Sequence, residues 1–212
     1  MQTISATVGN VTSNDQAIAA SQNVVSAGSL TLTSSSVSFA YPSQIIITTS
    51  ADFSAITFTI VGLDANGVSC TETTLGPNTT TKLLTNYFTK ITSVSTDGGV
   101  GGGAVAVGVT GITSSRWMFL DSWTTGTISV QCAVSGTINY TVQSTLDNPA
   151  DPHNSVSSVN VNWFDSNDSA VVGAISSQQS NFQYAPAYVR VIKNTGTGSV
   201  NTTLLQTGVT NL

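Results

Sequence analysis

The sequence predicts an all-β protein of two tandem β-sandwich or jelly-roll-like domains preceded by an extended N-terminal arm. Three observations predict it. Val, Ile and Thr dominate the apolar runs while Leu is scarce, and β-branched side chains suit a pleated sheet better than a helix. Apolar and polar residues alternate with period two over short runs, the pattern of a half-buried strand. The 18 glycines fall mostly between those runs, where turns need them. A chain of 212 residues accommodates two domains of about 100 residues each, the usual size of a sandwich.

Residues 1–27 have weak periodicity and no charge except Asp15, and Ala17 to Ala20 is their only helical hint. This segment is expected to be the arm. The first domain is expected over residues 28–112. Leu30 and Leu32 alternate with Thr31 and Thr33, Val37 and Phe39 repeat the spacing, and Ile45-Ile46-Ile47-Thr48 reads as a buried strand. Ile56-Thr57-Phe58-Thr59-Ile60 alternates strictly and leads to Asp64-Ala65-Asn66-Gly67, a hairpin-turn signal from which Val68 to Thr73 would return. Ile91 and Val94 mark a further strand, and after the glycine-rich loop Gly98 to Gly103 the run Ala104 to Val109 is expected to close a hairpin.

The second domain is expected over residues 113–212, as an altered copy of the first. Ile138-Asn139-Tyr140-Thr141-Val142 followed by Leu146-Asp147 parallels Ile56 to Ile60 followed by Leu63-Asp64. Val189-Arg190-Val191-Ile192 with Gly196-Thr197-Gly198 parallels Ile91 through Gly111, with Tyr184 and Tyr188 standing where Tyr87 and Phe88 precede the first hairpin. A spacing near that of a whole domain implies duplication, since solenoid repeats are shorter. Between Asn148 and Pro186 lies the longest irregular stretch. It holds a strand expected over Val159 to Phe164 and a loop, SSQQSNFQYAP.

Only 7% of residues are charged, against roughly 25% in an average soluble domain. Ser, Thr, Asn and Gln supply the polarity, which suits a surface that packs on neighbours without burying ions. Five Lys plus Arg at a formal charge of −5 argue against nucleic acid, which needs clustered cations. No apolar stretch has the roughly 20 residues of a membrane helix. MQTISATVGN lacks the basic and apolar regions of a signal peptide, so synthesis in a cytosol is expected. Cys70 and Cys132, the only cysteines, fall in different expected domains and read as buried, reduced side chains.

Residues for catalysis are few. The only histidine, His153, sits in Asp151-Pro152-His153-Asn154 with no nucleophile motif anywhere, so a turn residue is the simpler reading. Two separated cysteines and one histidine make no zinc set. Gly98 to Gly103 lacks the Gly-Lys-Ser/Thr ending of a phosphate loop. Asp147, Asp151, Asp165 and Asp168 could supply oxygen ligands to calcium, but their spacing fits no EF-hand and turn chemistry explains them as well. Asp64 and Glu72 make no better catalytic pair. Catalytic, cofactor-binding and metal residues are therefore all expected to be none, and the protein is expected not to be an enzyme. Trp117, Trp123 and Trp163 all lie in the second half. Trp117 and Phe119, alternating with Met118, read as core residues of an opening strand, with a sugar-stacking face as the competing reading. Trp163 is the best candidate for an exposed aromatic.

ITFTIVGLDANGVSCTETTLGPNTTTKLLTNYFTKITSVS, followed by a Gly/Ala-rich segment, resembles tailed-bacteriophage virion proteins. In that pattern a strand ends in a D-x-N-G turn, a T-E-T strand follows, and a T-T-K…F segment leads to a terminal hairpin. NYTVQSTLD and YAPAYVRVIKNTGTGSVNTTLLQTG are similar to the C-terminal part of the same proteins. Together the matches cover most of residues 44–208, although Thr207 separates Gln206 from Gly208 where the pattern closes on Gln-Gly. The resemblance implies a β-sandwich virion structural protein, either a head decoration (cement) protein or a tail-associated one, and transfers no catalytic residues. The expected partners are the major capsid protein or neighbouring virion proteins, with a homo-oligomer such as a trimer fitting capsid symmetry. Expected contacts are the arm, Thr3 to Gln22, and the loops around Asp151 and Gln178. A tail or fibre adaptor and a carbohydrate-binding adhesion module are the alternatives.

Overall fold

The computed structural model describes residues 2–120, 127–151, 153 and 156–206. It is nearly all β, built from large antiparallel sheets, as the β-branched composition requires. Among the described residues no helix is long and apolar enough to cross a membrane. The chain divides into two compact units, Val11–Ile112 and Met1–Asn10 with Thr113–Leu212.

That division removes the arm. β1 (Gln2–Val8) is a paired strand of the second unit, and β2 (Asn14–Asn23) is a strand of the first. Ile4, Ala6 and Val8 alternate with Thr3, Ser5 and Thr7, so β1 has the period of a strand. The pattern is faint because Ala, Ser and Thr differ little in hydropathy. The Ala17 to Ala20 segment is likewise extended, with Ile18 and Ala19 fully buried.

The first unit adds β3 (Gly28–Ser29), β4 (Val37–Thr49), β5 (Thr57–Asp64), β6 (Ser69–Leu75), β7 (Thr81–Thr96) and β8 (Ala104–Ser114), of which residues 113 and 114 fall in the second unit. The order is β8-β4-β7-β5-β6, with β2 on β8 and β3 on β7. The Asn-Gly turn forms as its residues dictate. Thr57 faces Leu75, Leu63 faces Ser69, and Gly67 takes φ +78°. Asp64 is buried, and its Oδ1 accepts the N–H groups of Asn66 (2.8 Å) and Val68 (3.0 Å). Ile45, Ile47, Phe58, Ile60, Phe88, Ile91 and Val107 are fully buried in this unit, each stabilising the fold by roughly 1.5–3 kcal/mol relative to exposure. The glycine loop after β7 does not close a hairpin, because β4 lies between β7 and β8. It packs instead on residues 24–26: Val100 N–H reaches Val24 O (2.8 Å), and a Cβ on Gly99 would stand 2.4 Å from Ser26 N.

The second unit adds β9 (Met118–Phe119), β10 (Ile128–Ser135), β11 (Ile138–Thr145), β12 (Phe164–Asp165), β13 (Gln178–Phe182), β14 (Tyr188–Gly196) and β15 (Ser199–Gln206). One sheet runs β1-β15-β10-β13; the other holds β12-β11-β14 with β9 on β14. Val8, Val130, Leu204, Tyr140, Val142, Val189 and Val191, drawn from both sheets, share one core. The unit is a long two-stranded ribbon bent over on itself. Ser135 faces Ser199 and, three residues on, Ile138 faces Gly196, so the pairing keeps step through the corner from one sheet to the other. Gly136 (φ +78°) and Gly196 (φ +97°) make that corner, and Gly198 N–H donates to Thr137 O (2.8 Å).

Three expectations fail here. Val189 to Gln206 is not a hairpin, since β14 and β15 lie in different sheets. Val159 to Phe164 is largely a 3-10 turn (Ser158–Asn160) and extended chain, with strand only at Phe164–Asp165. Gln178–Phe182, expected as loop, is a strand. The units share one feature of the matched motifs, β5 on β7 and β11 on β14, and then diverge.

Candidate functional site

The residues singled out for chemistry are scattered into local structural tasks. His153 is exposed, and Asp151 Oδ1 accepts its backbone N–H (2.8 Å); Pro152 and Asn154 lie outside the described residues. Asp147 Oδ2 accepts from Asn162 N (2.7 Å) and Nδ2 (3.1 Å), and Asp165 Oδ1 from Gln143 Nε2 (2.9 Å). Asp168 caps a 3-10 turn through Ala170 N–H (2.9 Å), which holds its carboxyl below the usual aspartate value. Among the described residues no three His, Cys, Asp or Glu side chains gather where they could share a metal. Glu72 is turned away from any pairing with Asp64: it accepts Thr85 N–H (2.8 Å), Asn86 N–H (3.1 Å) and Asn86 Nδ2 (2.9 Å), tying β6 to β7. Cys70 and Cys132 are both buried, and neither is in a disulfide. Burial pushes the Cys132 thiol and the Tyr140 phenol up.

One cluster does assemble, on the outer face of β12-β11-β14-β9. Met118 faces Val189 and Phe119 faces Tyr188. Met118 and Leu120 enter the core at 1% and 0% exposure, whereas Phe119 stays 50% exposed. Trp117 and Phe119 are therefore not core plugs. The alternation is real and its parity is the reverse of that expected. Trp117 meets Tyr188 edge-on (5.9 Å between centroids) and Tyr188 meets Phe119 (5.3 Å). Trp163, from the segment before β12, lies edge-on to Trp117 (5.3 Å) and over the Arg190 guanidinium, 4.2 Å from its ring centroid. Trp123 lies outside the described residues.

Arg190 is the centre of this face. Asp165, Gln143 and Arg190 stand in one row across β12, β11 and β14. Arg190 Nε donates to Gln143 Oε1 (2.9 Å), and Gln143 donates in turn to Asp165. The guanidinium, in a residue only 8% exposed, is held by a hydrogen-bond relay at one end and a ring face above it. A cation over an indole contributes about 0.5–2 kcal/mol depending on desolvation. The rings are inclined 57–68° to one another, so they do not form the flat platform that stacking on a sugar requires. In the sequence Arg190 and Tyr188 stand out only as parts of a motif. The signal that marks them is a charge set between Val189 and Val191, which must point away from the core those valines enter.

No family model matches the chain, and no curated protein sequence matches it.

Proposed function

We propose that the chain is a non-enzymatic virion structural protein, a capsid decoration (cement) protein that bridges major capsid subunits by docking. The outer face of β12-β11-β14-β9 is the adhesive surface in this reading, and the aromatic–arginine cluster upon it is the observation that carries the proposal. Trp, Tyr and Arg are the residues on which interface energy concentrates. Arg190 is already fixed by Gln143 and Trp163, so docking would lose little further side-chain entropy. The 7% charge and the likeness of residues 44–208 to tailed-phage virion proteins support the same reading. The bent ribbon of the second unit favours a jelly-roll-like class for that unit. Docking through a free arm is not involved, because residues 2–8 and 14–23 are strands. Each copy would add a modest interface, multiplied by repetition over a symmetric shell.

Co-sedimentation with purified phage heads and, separately, with tails tests it. Saturable binding to heads at the copy number of the capsid lattice is expected. Phe119→Ser, at a half-exposed position, should weaken that binding about 10- to 30-fold, the cost of a hot-spot residue. Binding to tails alone would replace the decoration role with an adaptor role, and retention by neither fraction would refute the proposal.

A further inference from the structure

The other outer face of the same unit carries a second feature. Strands β1, β15, β10 and β13 turn a run of neutral polar side chains outward. Along one row Leu205 of β15, Ser129 of β10 and Asn181 of β13 are register partners; along the next stand Thr203, Gln131 and Gln179. These six residues line a groove of about 630 Å³, and among the described residues no charged side chain lines it. That volume is within the usual range of ligand sites.

What sets this face apart is unused hydrogen-bonding capacity. On the opposite sheet the amides are occupied: Asn139 Nδ2 donates to Gly173 O (2.7 Å), Asn194 Nδ2 to Asn139 Oδ1 (2.7 Å), and Gln143 bridges Arg190 and Asp165. In the groove the amides of Gln131, Gln179 and Asn181 are exposed, and within the described residues none has a hydrogen-bond partner. Each carries an acceptor oxygen and two N–H donors. Gln131 on β10 stands beside Gln179 on β13, about 4.8 Å across the strands, and Asn181 lies two residues, roughly 6.8 Å, further along β13. A ligand that fits must donate and accept many hydrogen bonds, carry no charge, and present some C–H surface to Leu205.

We infer that this groove binds a neutral polysaccharide, the sugar hydroxyls bridging Gln131, Gln179 and Asn181. An acidic glycan would find no cation there, and a protein partner would find no aromatic anchor. The site is independent of the docking face, so either can fail without the other.

The test uses the intact chain on an array of neutral gluco-, galacto-, manno- and rhamno-oligosaccharides, with acidic oligosaccharides beside them. Binding to at least one neutral oligosaccharide is expected, changing less than about twofold between roughly 0.05 and 0.5 M salt because no ion pair is involved. Amide NMR shifts should cluster on residues 129–131 and 179–181. The triple variant Gln131→Ala/Gln179→Ala/Asn181→Ala, all at exposed positions, should weaken binding at least about tenfold through lost hydrogen bonds. Phe119→Ser should leave it unchanged while weakening head binding. The inference is overturned by the absence of neutral binders, by binding confined to acidic glycans, or by shifts centred on the tryptophans. It is equally overturned if the triple variant loses head binding but the parent binds no sugar, which would make the groove a protein contact.

Discussion

The corner where the ribbon of the second unit bends offers a graded test, because three glycines there and nearby face different obstacles. Gly173 has φ +65°, but a Cβ on it would meet only Asn139 Nδ2 at 3.8 Å, an ordinary contact. Gly173→Ala should cost only the left-handed conformation, about 1–2 kcal/mol. Gly198 has no positive φ, yet its Cβ would lie 2.4 Å from Ser135 O and 2.9 Å from the backbone of Gly136 and Thr137. Backbone cannot rotate aside like a side chain, so the corner itself must open, at about 3 kcal/mol or more. Gly196 combines both obstacles, φ +97° with Thr137 O at 2.4 Å, and Gly196→Ala should cost the most, about 4 kcal/mol or more. Trp117 and Trp163 belong to this unit and Trp123 falls between them in the sequence, so urea unfolding followed by tryptophan fluorescence reports on this unit. The expected order of midpoints is parent, Gly173→Ala, Gly198→Ala, Gly196→Ala. A Gly198→Ala variant no less stable than Gly173→Ala would show that the glycine packing at the corner does not hold the two sheets in place.

Four further outcomes are expected. Asp64→Ala removes the acceptor of two turn N–H groups in a buried position and should cost about 1–3 kcal/mol; faster hydrogen exchange along β5 and β6 would register it, and unchanged exchange would count against it. Hydrogen bonding from the Thr57 side chain and from Thr57 N–H (2.7 Å) holds the Asp97 carboxyl below the ordinary 3.8. Its contribution is therefore full above that value and is lost as pH falls through the lower folded one, so Asp97→Asn should flatten the acid limb of a circular-dichroism titration. Cys70 and Cys132, 3% and 1% exposed, should react with a thiol reagent only as fast as their units open; rapid labelling of the native protein would contradict their burial. Arg190→Lys keeps the charge but loses the planar stack on Trp163 and the Nε hydrogen bond, so it should alter tryptophan fluorescence and weaken head binding, whereas an effect no larger than that of Lys82→Arg on the first unit would argue against the stack.

The fold class was legible in the sequence because period-two alternation and turn chemistry are local. Asp64 to Gly67 fixes its hairpin through contacts spanning four residues, and β5 to β6 follow from it. What was not legible is everything decided by non-local pairing. The spacing of Ile91, the glycine loop and Val109 is compatible with a hairpin, and only the insertion of β4 between β7 and β8 rules it out. β1 is faint in the sequence for a different reason. Ala6 and the surrounding Ser and Thr residues give little contrast, and the partner that makes them a strand, Ser199–Gln206, lies at the other end of the sequence.

Parity explains the misreading at the candidate site. In Trp117-Met118-Phe119-Leu120 both sets of alternate residues are apolar, so hydrophobicity cannot say which set is inside; size favours the aromatics, and size misleads. The deciding residue lies on the partner strand. Tyr188-Val189-Arg190-Val191 has one set that can be buried without penalty and one that carries a guanidinium, whose desolvation without partners would cost several kcal/mol. Arg190 must face outward, Tyr188 two residues away faces with it, and the residue paired with Tyr188 is Phe119. Trp117 follows by alternation, and Met118 and Leu120 are left for the core. In a chain with so few charges, the position of one arginine within a buried strand fixes the outward facing of Tyr188, Phe119 and Trp117, and with it much of the surface offered to a partner.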